Sequence, residues 1–153
     1  MNRRTLLKSS LAVGAVSVAA SAGLLAPGQV LAAYPKAAFE AKDAGAALDA
    51  AMGSGSYTDS GDIKIKAPDI AENGSVVPVT VSTGMSDVES IGLVVESNNT
   101  PLVGTFAMHG SQGYVSTRIK MGKTGNVVAV VKSGGKLYAA KKEVKVTIGG
   151  CGG

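Results

Sequence analysis

The sequence predicts an all-β domain: an immunoglobulin-like antiparallel β-sandwich preceded by an N-terminal amphipathic helix and followed by a flexible C-terminal arm. Three observations predict it. About seven short alternating or apolar stretches follow one another with turn signals roughly every 8–12 residues, the rhythm of a two-sheet sandwich. Only one stretch, near the N-terminus, repeats its apolar residues at helical spacing. The chain of 153 residues has no Trp and one Cys, so a sandwich stapled by an internal disulfide is excluded.

Residues 1–32 read as an address rather than as part of the fold. Arg3 and Arg4 precede Thr5, Leu6, Leu7 and Lys8, a twin-arginine pattern, and an Ala-rich apolar run follows from Leu11 to Ala26. Pro27 and Gly28 break the run, and Val30, Leu31 and Ala32 place small residues for cleavage before Ala33. A membrane anchor is the competing reading. The run is shorter than the ~20 apolar residues a span requires, and Gly14, Ser17, Ser21 and Gly23 dilute it. Expected localisation is therefore the periplasm, with no membrane association after cleavage.

Removing that segment takes away Arg3, Arg4 and Lys8 and no acid. Twelve Lys and Arg then face eleven Asp and Glu, and the formal charge falls from +4 to +1. The basic balance belongs to the signal and gives no support for a nucleic-acid partner. A single Cys in an exported chain points to an intermolecular bond or a free reactive thiol.

Residues 33–61 are expected to hold one helix and a linker. In the stretch from Tyr34 to Met52, Ala37, Ala41, Ala44, Leu48, Ala51 and Met52 share a helical face. Pro35 suits the first turn and Gly53 the stop. This small-residue face buries little area, so the helix is expected to lie against the domain or a partner rather than to build the core. Residues 53–61, GSGSYTDSG, read as a loop.

Residues 62–148 are expected to be the sandwich. Ile63, Ile65 and Ala67 alternate with charged residues, and Pro68 with Asp69 turns the chain. The strand from Val76 to Val81 contains Pro78, which places it at a sheet edge or bulge. Strands from Val88 to Glu96 and Leu102 to Met108 follow. In the next, Val115, Thr117, Ile119 and Met121 share one face, with Tyr114, Ser116, Arg118 and Lys120 on the other. Residues 126–132, NVVAVVK, are apolar almost throughout, as in a strand covered on both faces. Ser133, Gly134 and Gly135 make a hairpin turn. The strand from Leu137 to Ile148 closes the domain, with Val144, Val146 and Ile148 inward.

Resident chemistry is scarce. One Cys and one His cannot form a zinc cluster, and no supporting spacing suggests copper, so no metal or other cofactor is expected. His109 sits in a Gly- and Ser-containing loop and reads as a solvated histidine. Gly122, Lys123 and Thr124 resemble the end of a phosphate loop, but Thr117 stands where its first glycine is needed and no helix pattern follows. No nucleophile elbow is present.

The candidate site is residues 149–153, GGCGG. Gly149, Gly150, Gly152 and Gly153 surround Cys151 with residues that have no Cβ and little preference for one backbone shape. At ~3.6 Å per residue the arm reaches roughly 10–15 Å. A thiol of pKa ~8.5 is a few per cent thiolate at neutral pH, and the thiolate is the nucleophile. A slim arm bearing one thiol suits a carrier, which needs no active site of its own. The structural alternative is an exported adhesion domain linked through an intermolecular Cys151 disulfide.

The exported β-domain, the segment KIKAPDIAENGSVVPVTV and above all the terminal GGCGG resemble the SoxY family, the sulfur carriers of bacterial thiosulfate oxidation. The resemblance implies that Cys151 is the covalent attachment point for sulfur intermediates and that the four glycines form its swinging arm. It implies a heterodimer with a SoxZ-like subunit, itself a small immunoglobulin-like protein. It also implies three enzyme partners: a c-type cytochrome enzyme that couples thiosulfate to Cys151, a hydrolase that releases sulfate, and a sulfur dehydrogenase where one is present.

Overall fold

Period-two alternation of Val, Ile and Leu dominates the chain after residue 62, and the computed structural model folds those residues into two packed sheets. The structure describes residues 35–147. The expected signal at residues 1–32, Ile148 and the GGCGG end lie outside the described residues. In order, the elements are α1 (Lys36–Glu40), α2 (Ala44–Met52), β1 (Thr58–Asp59), β2 (Ile63–Lys66), β3 (Ile70–Ala71), β4 (Val77–Thr83), β5 (Val88–Val95), β6 (Leu102–Ala107), β7 (Tyr114–Ile119), β8 (Gly125–Ser133) and β9 (Lys136–Val146).

A three-stranded antiparallel sheet has the order β2-β4-β7, and a six-stranded sheet has the order β1-β9-β8-β5-β6 with β3 also paired to β9. The seven longer strands are the seven the sequence predicts. Hairpins join β5 to β6 and β8 to β9, while the chain crosses between sheets after β4, β6 and β7, the connectivity of an immunoglobulin-like sandwich. Two-residue closure of the β8–β9 hairpin requires positive φ, and Gly134 and Gly135 supply φ 55° and 74°.

Between the sheets lies the first core. Val77, Val79 and Val81 of β4 face Ile91, Leu93 and Val95 of β5 and Val127, Ala129 and Val131 of β8. Residues of the opposite parity on the larger sheet build a second core: Val94, Val128, Val130 and Ala139 pack with Ala38, Ala47, Leu48 and Met52 of the helices. The unbroken burial of β8 from Val127 to Val131 follows from this, since one face meets the small sheet and the other meets the helical layer.

The helical segment differs from the expectation in two ways. There are two short helices, because Ala41 turns extended and Asp43 caps α2, its Oδ2 accepting from the Ala46 N–H at 2.9 Å. The break changes the phase, so Ala38 is buried and Ala37 exposed. The helices also do more than lie against the domain, since they supply one wall of the second core. Gly53 ends α2 in the left-handed conformation, as its position suggests.

Two loops contain strands that composition hid. Within residues 53–61, β1 pairs in parallel with Tyr138 and Ala139 of β9. Between the turn signals at 68–69 and 72–74, β3 pairs in parallel with Lys145 and Val146. Pro78 lies on the middle strand of its sheet rather than on an edge strand. The pairing of β2 with β4 spans only residues 80–83 of β4, so at Pro78 the strand has β7 alone as neighbour and one side is locally an edge.

A polar cluster ties β8 and β9 to the end of β5 at the surface of the larger sheet. Glu96 accepts from Lys141 Nζ and from Asn126 Nδ2, each at 2.9 Å, and the ammonium lies 5.7 Å from the Tyr57 ring centroid. The hydrogen bond from Lys141 and then that from Asn126 hold Glu96 below its ordinary value of 4.5, while the Glu96 hydrogen bond pushes Lys141 upward. A lowered carboxylate stabilises the fold above its unfolded pKa, and that part is lost as pH falls through the lower folded value. Glu96→Gln should therefore lessen the fall in melting temperature on acidification below about pH 4.5. An unchanged acid limb in a thermal-melt series would contradict this.

Candidate functional site

The site is built from the end of β9, because the strand's last residues fix where the cysteine-bearing segment begins. β9 exchanges hydrogen bonds with β8 on one side until Val144, which pairs with Gly125. On the other side β3 takes over. Lys145 N donates to Asp69 O at 3.0 Å and Thr147 N to Ala71 O at 3.1 Å. Thr124 closes the gap left where β8 ends: its Oγ1 accepts from Val146 N at 2.9 Å and lies 3.4 Å from Val146 O. Lys142 adds an ion pair to Asp69 at 3.1 Å. Backbone and side chain thus hold the strand to its last described residue, Thr147.

Gly74 packs directly against this root. A Cβ there would overlap the Met121 carbonyl oxygen and would stand 2.8 Å from Val146 Cγ1, while Met121 N donates to Gly74 O at 2.7 Å. Gly74→Ala should destabilise the fold by about 1–3 kcal/mol through forced backbone movement. It should also speed hydrogen exchange at Met121 and Thr147. A denaturation midpoint equal to that of the parent would show that the turn yields freely.

Three loops meet around the same end of the sandwich. Asn98 in the β5–β6 loop donates from Nδ2 to Lys120 O at 2.8 Å and accepts from Gly122 N at 3.0 Å, stapling that loop to the β7–β8 loop. Ser97 Oγ adds a bond to Lys123 O at 3.1 Å.

Each site residue expected from the sequence, Cys151 with Gly149, Gly150, Gly152 and Gly153, lies outside the described residues. Of the inward residues expected on the last strand, Val144 is fully buried and Val146 packs at the core's margin. Sequence reasoning missed the two groups that fix the root, Thr124 and the β3 backbone. Turn signals bracket β3 on both sides, but two residues are too few to show a period. His109 is exposed in its loop, as expected.

Among the described residues no polar or charged residue is buried, and no three His, Cys, Asp or Glu side chains gather as a metal would need. In sequence, Cys151 follows Thr147, the last described residue, by four positions.

The comparisons with known proteins place this sandwich in the class of sulfur carrier proteins. The family model "Sulfur oxidation protein SoxY" matches residues 48–151. The solved structure of the sulfur carrier protein SoxY from Chlorobium limicola f thiosulfatophilum is 44% identical, with a TM-score of 0.63 over 73% of this chain and 97% of that one. A superoxide reductase (neelaredoxin) from Ignicoccus hospitalis is 24% identical with a TM-score of 0.50 over 60% of this chain and 81% of its own, a likeness of fold alone. No curated protein sequence matches. The chain belongs to the SoxY family of sulfur carrier proteins.

Proposed function

We propose that the chain is a periplasmic carrier that holds thiosulfate-derived sulfur on Cys151 and presents it to oxidising and hydrolysing partner enzymes. The observation that carries this reading is the reach of the family match to residue 151, the position of the chain's one cysteine. Coupling joins the Cys151 sulfur to the outer sulfur of thiosulfate as a cysteine S-thiosulfonate. One proton and two electrons leave, and a c-type cytochrome enzyme accepts the electrons. A hydrolase then adds water and releases sulfate, leaving a persulfide for a sulfur dehydrogenase.

Twin-arginine export moves folded chains, so a SoxZ-like subunit could leave the cytoplasm bound to this one as a heterodimer. Gly149, Gly150, Gly152 and Gly153 keep the arm slim enough for narrow pockets in these enzymes. Intact-mass measurement of the chain purified from thiosulfate-grown cells is the test. Sulfur or thiosulfonate increments on Cys151, removable by reductant, are expected. A quantitative disulfide homodimer without any sulfur adduct would refute the carrier reading and favour the crosslinked structural one.

A further inference from the structure

We propose that the outer face of the three-stranded sheet β2-β4-β7 is a docking surface for an acidic protein surface, the rim of the active-site opening in an enzyme that the arm visits. The inference rests on the carrier reading above and adds to it where the partner sits. Alternate residues of these strands are committed to the core: Ile63 in β2, Val77, Val79 and Val81 in β4, and Val115 and Ile119 in β7. The residues between them form the outer face. Register sets three rungs across it: Lys64, Ser82 and Tyr114; then Lys66, Thr80 and Ser116; then Pro78 and Arg118. Val76 and Lys120, both exposed, extend the face one step further.

Four cations and no acid stand on this face. Lys64, Lys66, Arg118 and Lys120 are exposed, and the ion pairs among the described residues use Lys36, Lys132, Lys141 and Lys142 instead. The neighbouring acids Asp62, Asp69 and Glu72 lie outside the three strands, and Asp69 already pairs with Lys142. Glu40, Asp43 and Asp49 stand in the helical segment, which packs on the other sheet. Charge is therefore divided between two sides of a nearly neutral domain. A field of this sign steers a negatively charged surface towards the small sheet.

Apolar exposure selects a protein as the source of that charge. The large apolar side chains left exposed among the described residues are Ile70, Val76 and Tyr114, at 59%, 49% and 58%. Val76 and Tyr114 stand at opposite ends of this face. Between them the Thr80 and Ser116 hydroxyls bond to each other at 3.0 Å, so the middle of the face carries satisfied polar groups. An exposed Tyr and an Arg around such a centre suit a protein contact. A flat sheet has no amphipathic helix to sink into a bilayer.

Size and position fit a visiting enzyme. Tyr114 to Lys120 spans about 20 Å along the strand, a footprint well under the ~800 Å² per partner of a stable complex. A carrier that must leave each enzyme is served by a weak, charge-guided encounter. The face also ends at the arm's root: Lys120 precedes Met121, whose N–H donates to Gly74 O, and Gly74 packs against Val146. Cys151 follows Thr147 by four residues, a reach of about 14 Å at full extension. An opening at the near end of a docked enzyme is within that reach.

The first test is steady-state turnover of the mature chain by the c-type cytochrome coupling enzyme, followed by haem absorbance. Lys64→Glu, Lys66→Glu should lower kcat/KM about tenfold at low ionic strength with kcat unchanged, and added salt should close most of the gap. Lys42→Glu, Lys136→Glu makes the same charge change on the helical segment and the β8–β9 hairpin, and should match the parent. Equal kcat/KM in the face variant and the parent, an equal fall in the control, or a fall confined to kcat would overturn the proposal. If the face variant is unfolded in a thermal melt, Lys64→Gln, Lys66→Gln takes its place, with a fall of about threefold expected.

The second test uses no enzyme. Titration with poly-L-glutamate should shift the backbone amide resonances of Lys64, Lys66, Ser116 and Arg118, and salt should reverse the shifts. Shifts spread evenly over the surface would overturn the face. Co-sedimentation with phosphatidylglycerol vesicles at physiological salt, abolished by the same variants, would assign the face to a membrane. Loss of a co-purifying small subunit in those variants would assign it to a permanent partner, and either result overturns the proposal. A parent chain that the enzyme does not turn over at all would refute the carrier reading, and the titration would then judge the face by itself.

Discussion

Cys151→Ser should abolish thiosulfate-dependent turnover in a reconstituted pathway while leaving the melting temperature within about 0.5 kcal/mol equivalent of the parent. A serine oxygen forms no sulfur–sulfur bond under these conditions, so the first covalent intermediate cannot arise. Both hydrophobic cores lie between Ala38 and Val144, well before the substituted residue, so stability should hold. Electron transfer to the coupling enzyme, followed by absorbance of its haem, and sulfate release provide two separate readouts. Both should fall to the level of a mixture lacking the carrier. Retained turnover would refute covalent carriage on this chain, and a fall in melting temperature of several degrees would show that the fold depends on the terminal segment.

Most of the sandwich was legible because each long strand declares its own face. Val77, Val79 and Val81 alternate, the run at 127–131 has no polar side, and Gly134 with Gly135 permits only a tight hairpin. The parts that escaped depend on partners distant in sequence. β1 and β3 are two-residue strands whose only support is the far strand β9, and a stretch such as GSGSYTDSG carries no trace of that pairing. The helical break at Ala41 was hidden for a different reason. Alanine tolerates either phase, so the Asp43 cap decides where the second helix starts. At the candidate site, composition alone carries the expectation of a thiol on a slim arm at GGCGG, which lies outside the described residues. The Thr124 clamp and the Asn98 staple arise only when loops distant in sequence meet, and no local pattern in the chain announces them.

The helical layer is where the sequence most understated the fold, and Leu48→Ala should measure its weight. Leu48 is 1% exposed and packs in the second core with Val94, Val128 and Val130. Met52 lies close enough that a Cβ on Gly92 would stand 2.8 Å from its sulfur, so the helix sits nearly on the backbone of β5. Truncating Leu48 removes three buried carbons and leaves a cavity that rigid strands cannot close. A loss of about 2–5 kcal/mol is expected, a large part of the ~5–15 kcal/mol typical of a domain. Urea denaturation should show the lower midpoint, and a hydrophobic dye should bind where Val94, Val128 and Val130 become accessible. The effect should stop short of the arm. β9 contributes Leu137 and Ala139 to the second core near its start and Val144 to the first core near its end. The helical layer therefore packs on the half of β9 remote from Thr147. Alkylation of Cys151 by a small neutral reagent, measured well below the midpoint, should proceed at the parental rate. A loss under about 1 kcal/mol would mean that the helices are an appendage after all, and a changed alkylation rate would mean that they act on the arm through β9.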